Sequence, residues 1–303
     1  MKYKKVHLVV NPAAGQPDAI LYKVNNIFYE HHVDWSASVT TSHVNGTELV
    51  KRAIEEGADL IIASGGDGTV REIAHGLVGV DMPLALTHGG TGNALANKLN
   101  IPKDTEKAIE LIIGDHGYQT IDVGKIVTED KPNEPGYFLL RASVGLQEVL
   151  LEEASRQAKD RFGNFAYVLA GIKSLMKGDT RSYRIVVDGK EVQGEGLMAM
   201  IANSAAVGGG AQFEFAPNVD WSDGLLDVFI LDSSLASLVD MVESAVEDDI
   251  NKYEHRWSGR EITIRTETPQ HVMIDGEVFG YSPFTASVIP GAIKIVVPLK
   301  ENE

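Results

Sequence analysis

The 303-residue chain has no cysteine and is poor in basic residues, with 27 Lys+Arg against 43 Asp+Glu and a formal net charge of −16. The first absence excludes disulfides, thiolate catalysis and cysteine metal sites, and it fits a reducing compartment. The second disfavours nonspecific nucleic-acid binding and any diffuse attraction to an anionic membrane, so a membrane contact has to be local. No apolar run approaches the roughly 18 to 20 residues that a membrane span needs. The lysines ahead of the apolar patch in MKYKKVHLVVNP imitate a secretory signal, but the patch is short and ends at Asn11-Pro12. It is therefore read as a first strand, and the protein as cytoplasmic. The chain shows no internal repeat, no low-complexity tract, no P-loop G-x-x-x-x-G-K-[ST] and no G-x-G-x-x-G.

What the chain does have is a change of pattern near its first third. Up to about residue 125, short apolar runs (VHLVV, DWSASVT, DLIIAS, PLALT) alternate with helical stretches at Ile20 to Tyr29, Glu48 to Glu56, Val70 to Leu77 and Ala94 to Leu99. That alternation predicts a parallel sheet covered by helices. After the polar, proline-rich TEDKPNEPG the runs become strand-like and are joined by turn signals: YFLLRASVG, YRIVVDGKEVQG, LMAMIANS, LLDVFILD, EITIRTE, HVMIDGEVFG, FTASVIP and AIKIVVPL. Two helical interruptions fall near Glu148 to Met176 and Leu235 to Ile250. The fold expected is an α/β N-terminal domain over residues 1–125 and a mainly β C-terminal domain over 126–290.

Glycine marks the ends of the early strands. In DLIIASGGDGTVREIAHGL, Leu60 to Ala63 reads as a buried strand, and Val70, Ile73, Ala74 and Leu77 recur at helical spacing. Thr69 and Glu72 have the T-x-x-E spacing of a capping box, which predicts a helix start just after the glycines. A strand-to-helix turn of this kind aims backbone N–H groups at whatever sits above the helix, the usual physics of a phosphate site. VVNPAAG and LTHGGTGNALANKL supply similar turns at Asn11–Gly15 and Gly89–Asn93. In a doubly wound sheet such turns share the carboxyl edge, where ligands bind. Taken alone, the pattern supports a phosphate-containing ligand and little more.

Gly65–Thr69 (GGDGT) resembles the signature shared by diacylglycerol, sphingosine and NAD kinases and phosphofructokinases. GGTGNALANKLNIP is similar to the Gly-Thr-Gly-Asn segment of lipid kinases, and IDVGKI to the strand that follows it. NSAAVGGGAQFEFAPNVDWSDGLLDVFIL and MIDGE match their later blocks, in the expected order from residue 8 to about 298. The chain is thereby similar to the bacterial diacylglycerol kinase-like lipid kinases. The resemblance implies a Rossmann-like, NAD kinase-like ATP-binding domain and a β-sandwich lipid-substrate domain, with the nucleotide in the cleft between them. It also implies that the last strand, 291–303, returns to the first domain. The activity implied is transfer of the γ-phosphate of ATP to a lipid hydroxyl, foremost diacylglycerol to phosphatidic acid, with Mg²⁺. Alternatives are a sphingoid-base or other lipid kinase, an NAD kinase-like soluble kinase, or a catalytically weakened nucleotide-binding regulator.

By the same resemblance Asn11, Pro12, Ala13, Ala14 and Gly15, Thr40, the run Gly66, Asp67, Gly68, Thr69, Val70, Arg71 and Glu72, and Thr91 line the nucleotide; VTT leaves Thr41 as the alternative to Thr40. The resemblance implies that Asp67 works through Mg²⁺ and its waters, or through hydrogen bonds that orient them, and that Glu277 is the general base for the lipid hydroxyl, although Asp275-Gly276 alone reads as a hairpin turn. Two acids beside an Asp-Gly turn alone read as a solvated loop, but the resemblance implies that Asp220, Asp223 and the carbonyl of Leu225 form a structural metal site and that Asp122 supports the network around Asp67. Two positions depart from the family pattern: Ala94 stands where an acid is common, and Arg141 where an asparagine is. The basic segment 155–184 is the expected contact with anionic headgroups, peripheral to the inner membrane face, with a solvated amphipathic helix as the alternative. An exposed sheet edge could support a homodimer. The sequence does not fix the lipid or its acyl chains.

Overall fold

The computed structural model describes residues 3–14, 19–145, 180–207, 213–214, 218–231 and 256–299. The chain forms two compact units, one of Met1–Ile121, Val207–Gln212 and Gly291–Glu303, the other of Asp122–Ala206 and Phe213–Pro290.

The first unit opens with β1 (Lys5–Val10), α1 (Ile20–Glu30), β2 (Asp34–Val39), α2 (Gly46–Glu55), β3 (Leu60–Gly65), α3 (Asp67–Leu77), β4 (Pro83–His88), α4 (Ala94–Lys98) and α5 (Thr105–Ile113). Its strands stand in the order β2-β1-β3-β4, all parallel. β3 is flanked on both sides and every one of its residues is buried, as a central parallel strand requires. The helices cover the sheet because their apolar residues recur once per turn: Ile20, Val24 and Phe28 on α1 are buried, as are Ala108, Ile109 and Ile112 on α5. α5 is absent from the expected elements, yet Asp104 marks its start, accepting the N–H of Lys107 at 3.0 Å. Leu8, Leu60, Ile62, Phe28, Ile109 and Val296 belong to one cluster of buried side chains. Each contributes roughly 1.5–3 kcal/mol by leaving water.

The helix after the glycines differs from its expectation. α3 begins at Asp67, with Gly66 as its cap and no side-chain capping bond, so Thr69 and Glu72 do not form a capping box. Thr69 lies inside the first turn and is buried. Glu72 caps its neighbour instead: Oε2 accepts the N–H of Gly46 at 2.7 Å, and its carbonyl accepts the Thr47 hydroxyl at 2.7 Å, both at the start of α2. The carboxylate satisfies another helix's orphan donor because α2 and α3 pack side by side.

β5 (Gly117–Thr128) carries the chain into the second unit. There follow β6 (Lys131–Phe138), β7 (Arg141–Val144), β8 (Arg181–Val187), β9 (Lys190–Gly196), β10 (Met198–Ala202), β11 (Ala206–Val207), β12 (Phe213–Glu214), β13 (Leu226–Leu231), β14 (Arg256–Gly259), β15 (Glu261–Thr266), β16 (His271–Ile274), β17 (Glu277–Tyr281) and β18 (Phe284–Val297). One antiparallel sheet runs β14-β13-β10-β7-β16-β17. The other pairs β9, β8, β15 and the first half of β18, again antiparallel. Alternate residues of both sheets, among them Ala142, Val144, Ile201, Val228, Ile185, Ile264 and Phe284, form one buried cluster. A core shared by two facing sheets is that of a β-sandwich. β18 ends in the first unit, where Lys294 and Ile295 pair with Pro83 and Leu84 of β4. The YFLLRASVG run is two strands, not one, broken at Leu139-Leu140 between β6 and β7.

Candidate active site

Parallel alignment brings the first unit's turns together. β1, β2, β3 and β4 end at Val10, Val39, Gly65 and His88, and the next residues are Asn11, Thr40, Gly66 and Gly89. Asn11 ties two of these ends. Its N–H donates to the Ser64 carbonyl at 2.8 Å, its Nδ2 to the Thr69 hydroxyl at 2.8 Å, and its Oδ1 accepts the N–H of Ala13 at 3.0 Å. Pro12 and Ala13 stand exposed and Ala14 half-buried on the turn that this asparagine closes; Gly15 lies outside the described residues. Thr40 is level with Asn11, its N–H on the Val10 carbonyl at 2.9 Å. Thr41 spends its hydroxyl locally, accepting from His43 and Val44 at 3.2 and 3.1 Å.

The glycines serve this convergence in a way that composition does not reveal. A Cβ on Gly90 would lie 2.4 Å from the Cα of Gly66, and one on Gly89 would lie 2.5 Å from the nitrogen of Gly65. Gly89 and Gly90 are therefore required where one loop's backbone presses on another's, before any ligand is considered. Asn93, in the left-handed region with φ of 48°, closes the second loop by accepting the Gly90 N–H at 2.9 Å and donating to the Gly90 carbonyl at 2.6 Å.

Asp67 occupies the first helical position of α3, where the helix dipole favours a negative charge. Its Oδ1 accepts the N–H of Ala94 at 2.7 Å, which joins the starts of α3 and α4. Ala94 is buried, so at the position where the family commonly has an acid, a backbone N–H meets Asp67. Gly66, Asp67 and Gly68 are half-buried, with the backbone N–H groups of the helix start among them. Among the other residues expected to line the nucleotide, Val70 packs in the core beside Thr69, Glu72 turns to α2, Arg71 is half-buried and Thr91 is exposed.

In the second unit Glu277 opens β17 and is exposed, immediately after the Asp275-Gly276 turn. Asp122, expected to support Asp67, is buried and engages a different element. Its N–H donates to the Trp221 carbonyl at 2.7 Å and its Oδ2 accepts the N–H of Gly224 at 2.7 Å. That fastens β5 to the Asp220–Leu225 turn, and the carboxylate points there because this turn supplies the N–H that compensates its burial.

In the turn itself, Asp220 Oδ1 accepts from the N–H and hydroxyl of Ser222 at 2.9 and 2.6 Å, and Asp223 Oδ1 accepts the N–H of Leu225 at 2.9 Å. Burial raises the Asp223 carboxyl from its ordinary value; the Leu225 N–H offsets part of this, and the charges of Asp220, Asp227 and Asp122 add to the rise. Two carboxylates and a carbonyl are hard oxygen donors of the kind Mg²⁺ or Ca²⁺ takes, and the crowded negative charge suits a cation. Among the described residues no group of three or more His, Cys, Asp or Glu side chains could hold a metal. A cation here would therefore draw on Asp220, Asp223, the Leu225 carbonyl and solvent oxygens.

Sequence reasoning missed Asn203, which is fully buried and donates through Nδ2 to the carbonyls of Asp122 and Leu139, both at 2.9 Å. Its signal is an asparagine in an otherwise apolar strand end, LMAMIANS. The basic segment 155–184 lies outside the described residues except at 180–184. There Arg181 donates to the Gly145 carbonyl and Gln270 Oε1, each at 2.8 Å, and Arg184 pairs with Glu191 at 3.2 Å. No helix among the described residues is long and apolar enough to cross a membrane.

Residues 5–126 match the model of the diacylglycerol kinase catalytic domain, and residues 142–297 that of the YegS C-terminal NAD kinase beta sandwich-like domain. The chain belongs to the diacylglycerol kinase-like lipid kinases. Within this lipid kinase family it is 28% identical to the diacylglycerol kinase of Mycobacterium tuberculosis H37Rv over 97% of this chain and 95% of that one. It is 28% identical to the diacylglycerol kinase of Bacillus subtilis over 99% and 98% of the two chains. A crystal structure of a diacylglycerol kinase from Bacillus anthracis superposes with a TM-score of 0.78 at 26% identity, covering 98% of each chain. The family assignment makes the protein a kinase of the lipid kinase type, with an α/β domain followed by a β-sandwich domain.

Proposed function

We propose that the protein transfers the γ-phosphate of ATP to the hydroxyl of a membrane glycerolipid, with diacylglycerol the first candidate. The observation that carries the reading is the seat of Asp67: a carboxylate at the first position of α3, held by the Ala94 N–H, inside a family whose relatives include diacylglycerol kinases. Backbone N–H groups at the start of α3 and the Asn11–Ala14 turn bind and orient the triphosphate, which supplies the positioning that phosphoryl transfer chiefly needs. A Mg²⁺ ion bound with the nucleotide would supply neutralisation of charge on the phosphates. Asp67, whose Oδ1 accepts the Ala94 N–H, is the residue of this chain that would hold it. Glu277, exposed at the start of β17, accepts the proton of the lipid hydroxyl as the bond to phosphorus forms. The Asp220–Leu225 turn would hold a structural cation through Asp220, Asp223 and the Leu225 carbonyl.

Paired variants test this. In Asp67→Asn the amide oxygen still accepts the Ala94 N–H, so the loops stay joined while the charge is lost. Glu277→Gln removes only the base. Both are expected to lower kcat by a factor on the order of 10² to 10⁴, and Glu277→Gln to leave ATP binding by calorimetry unchanged. Undiminished lipid phosphorylation by Glu277→Gln would remove that residue from the mechanism.

A further inference from the structure

Asp275 and Gly276 sit at φ of 46° and 89°, as a two-residue turn of the primed type requires. The turn accounts for the backbone of Asp275 but not for its carboxylate. Oδ2 accepts the N–H of Leu139 at 2.8 Å, and Oδ1 accepts those of Leu140 at 3.0 Å and Arg141 at 2.9 Å. The N–H of Asp275 in turn donates to the Arg141 carbonyl at 2.9 Å. Successive amides converging on one anion make a backbone nest, and charge-assisted bonds of this kind are the strong ones.

The segment that supplies the amides is itself held from its other side. Asn203 donates through Nδ2 to the Leu139 carbonyl at 2.9 Å, and the N–H groups of Asn203 and Ser204 both donate to the Leu140 carbonyl at 2.9 Å. The Arg141 guanidinium donates to the Ala206 carbonyl at 3.2 Å. Through Asn203 the same segment reaches the Asp122 carbonyl, whose residue grips the Asp220–Leu225 turn. Leu139, Leu140 and Ala142 are buried. This is a fixed platform.

Glu277 lies directly beyond this turn, in register with Ile274 of β16. β17 lies at the end of its sheet and pairs with β16, with a register shift between Val272 and Met273. An edge strand that begins with the proposed base needs its start fixed from elsewhere.

We infer that Asp275 is a positioning residue: its carboxylate locks the β16–β17 turn onto the platform at residues 139–141 and thereby fixes the backbone from which Glu277 reaches the lipid hydroxyl. The inference rests on the reading of Glu277 as the general base. It goes beyond the use of Asp-Gly as a turn, and the two uses predict different behaviour for Asp275→Asn. Asn-Gly is itself a favoured primed-turn pair, so a turn-only role tolerates the change. Under the clamp role the asparagine amide group faces the Leu139 N–H donor to donor, and one of the three bonds becomes repulsive.

The experiment is steady-state kinetics of Asp275→Asn on the full chain, with diacylglycerol in mixed micelles, beside Glu277→Gln and with ATP binding measured by calorimetry. The clamp predicts that Asp275→Asn lowers kcat by roughly 10-fold to 100-fold, the scale of a misplacement of about 1 Å, with ATP affinity and KM for ATP unchanged. Wild-type kcat in Asp275→Asn alongside an inactive Glu277→Gln overturns the clamp and leaves the base standing. Full activity in Glu277→Gln overturns the base, and the catalytic role of the clamp with it. Loss of ATP affinity in step with kcat marks general damage and also overturns it. Should Asp275→Asn not fold, Asp275→Glu keeps the charge but displaces the carboxylate by a methylene; a drop in kcat there supports the clamp, and wild-type kcat overturns it.

Discussion

At the scale of single residues, identity matters most where backbone meets backbone. Gly90 faces the Cα of Gly66 at a distance that no Cβ tolerates, whereas a Cβ on Gly66 would stand 3.6 Å from Gly90, an ordinary contact. Gly90→Ala is therefore expected to destabilise the protein by about 1–3 kcal/mol through overpacking. Gly66→Ala should cost no more than about 1 kcal/mol, the usual penalty at a helix cap. Chemical denaturation of the two variants checks the order; equal losses would mean that the loops do not press together as described. The sequence marked these glycines as a turn, but the reason for two of them lies in another loop more than twenty residues away, which local pattern cannot show. Asn203 and the carboxylate of Asp275 were hidden for the same reason, since the groups they are hydrogen-bonded to at Asp122 and Leu139 to Arg141 are distant in sequence.

Among the elements, the parallel strands and most helices of the first unit were legible because period and punctuation agree: buried runs for β1, β3 and β4, and apolar residues once per turn on α1 and α3. The start of α3 was misjudged by three residues, because Thr69 and Glu72 have the spacing of a capping box while tertiary packing sends both side chains elsewhere. β2, the edge strand of its sheet, carries a further device. His7 of β1 is buried, with Nδ1 on the Ser36 hydroxyl and Nε2 on the Ser38 hydroxyl, each at 2.8 Å. Burial lowers its pKa from 6.5; the charge of Glu56 raises it and that of Lys5 lowers it further. Because the folded value lies below the unfolded one, the unfolded chain takes up the proton first as pH falls. This residue's contribution is thus intact above pH 6.5 and is lost below it until the depressed folded value is reached. Replacing His7 by Gln should flatten the fall in unfolding midpoint as pH drops below 6.5, compared with the wild type. An identical pH profile for the two proteins would show that His7 does not titrate in that window.

For the molecule as a whole, the switch from strand–helix alternation to mostly strand-like runs was enough to read an α/β domain followed by a mainly β one, and the family resemblance supplied the β-sandwich. The order of the glycine, Asp-Gly-Leu-Leu-Asp and Asp-Gly-Glu blocks was enough to read the family, in agreement with the matched domains. What the substrate is was not legible, because lipid recognition depends on apolar surface whose residues are interchangeable in pattern. The central claim is phosphoryl transfer to a lipid alcohol, and the direct measurement is incubation of the full chain with γ-³²P-labelled ATP and Mg²⁺ over a panel of lipids in mixed micelles. Label is expected in phosphatidic acid from diacylglycerol, and on the order of 10²- to 10⁴-fold more slowly with the Asp67→Asn and Glu277→Gln proteins. Label in none of the lipids, from a folded protein that binds ATP, would contradict the claim.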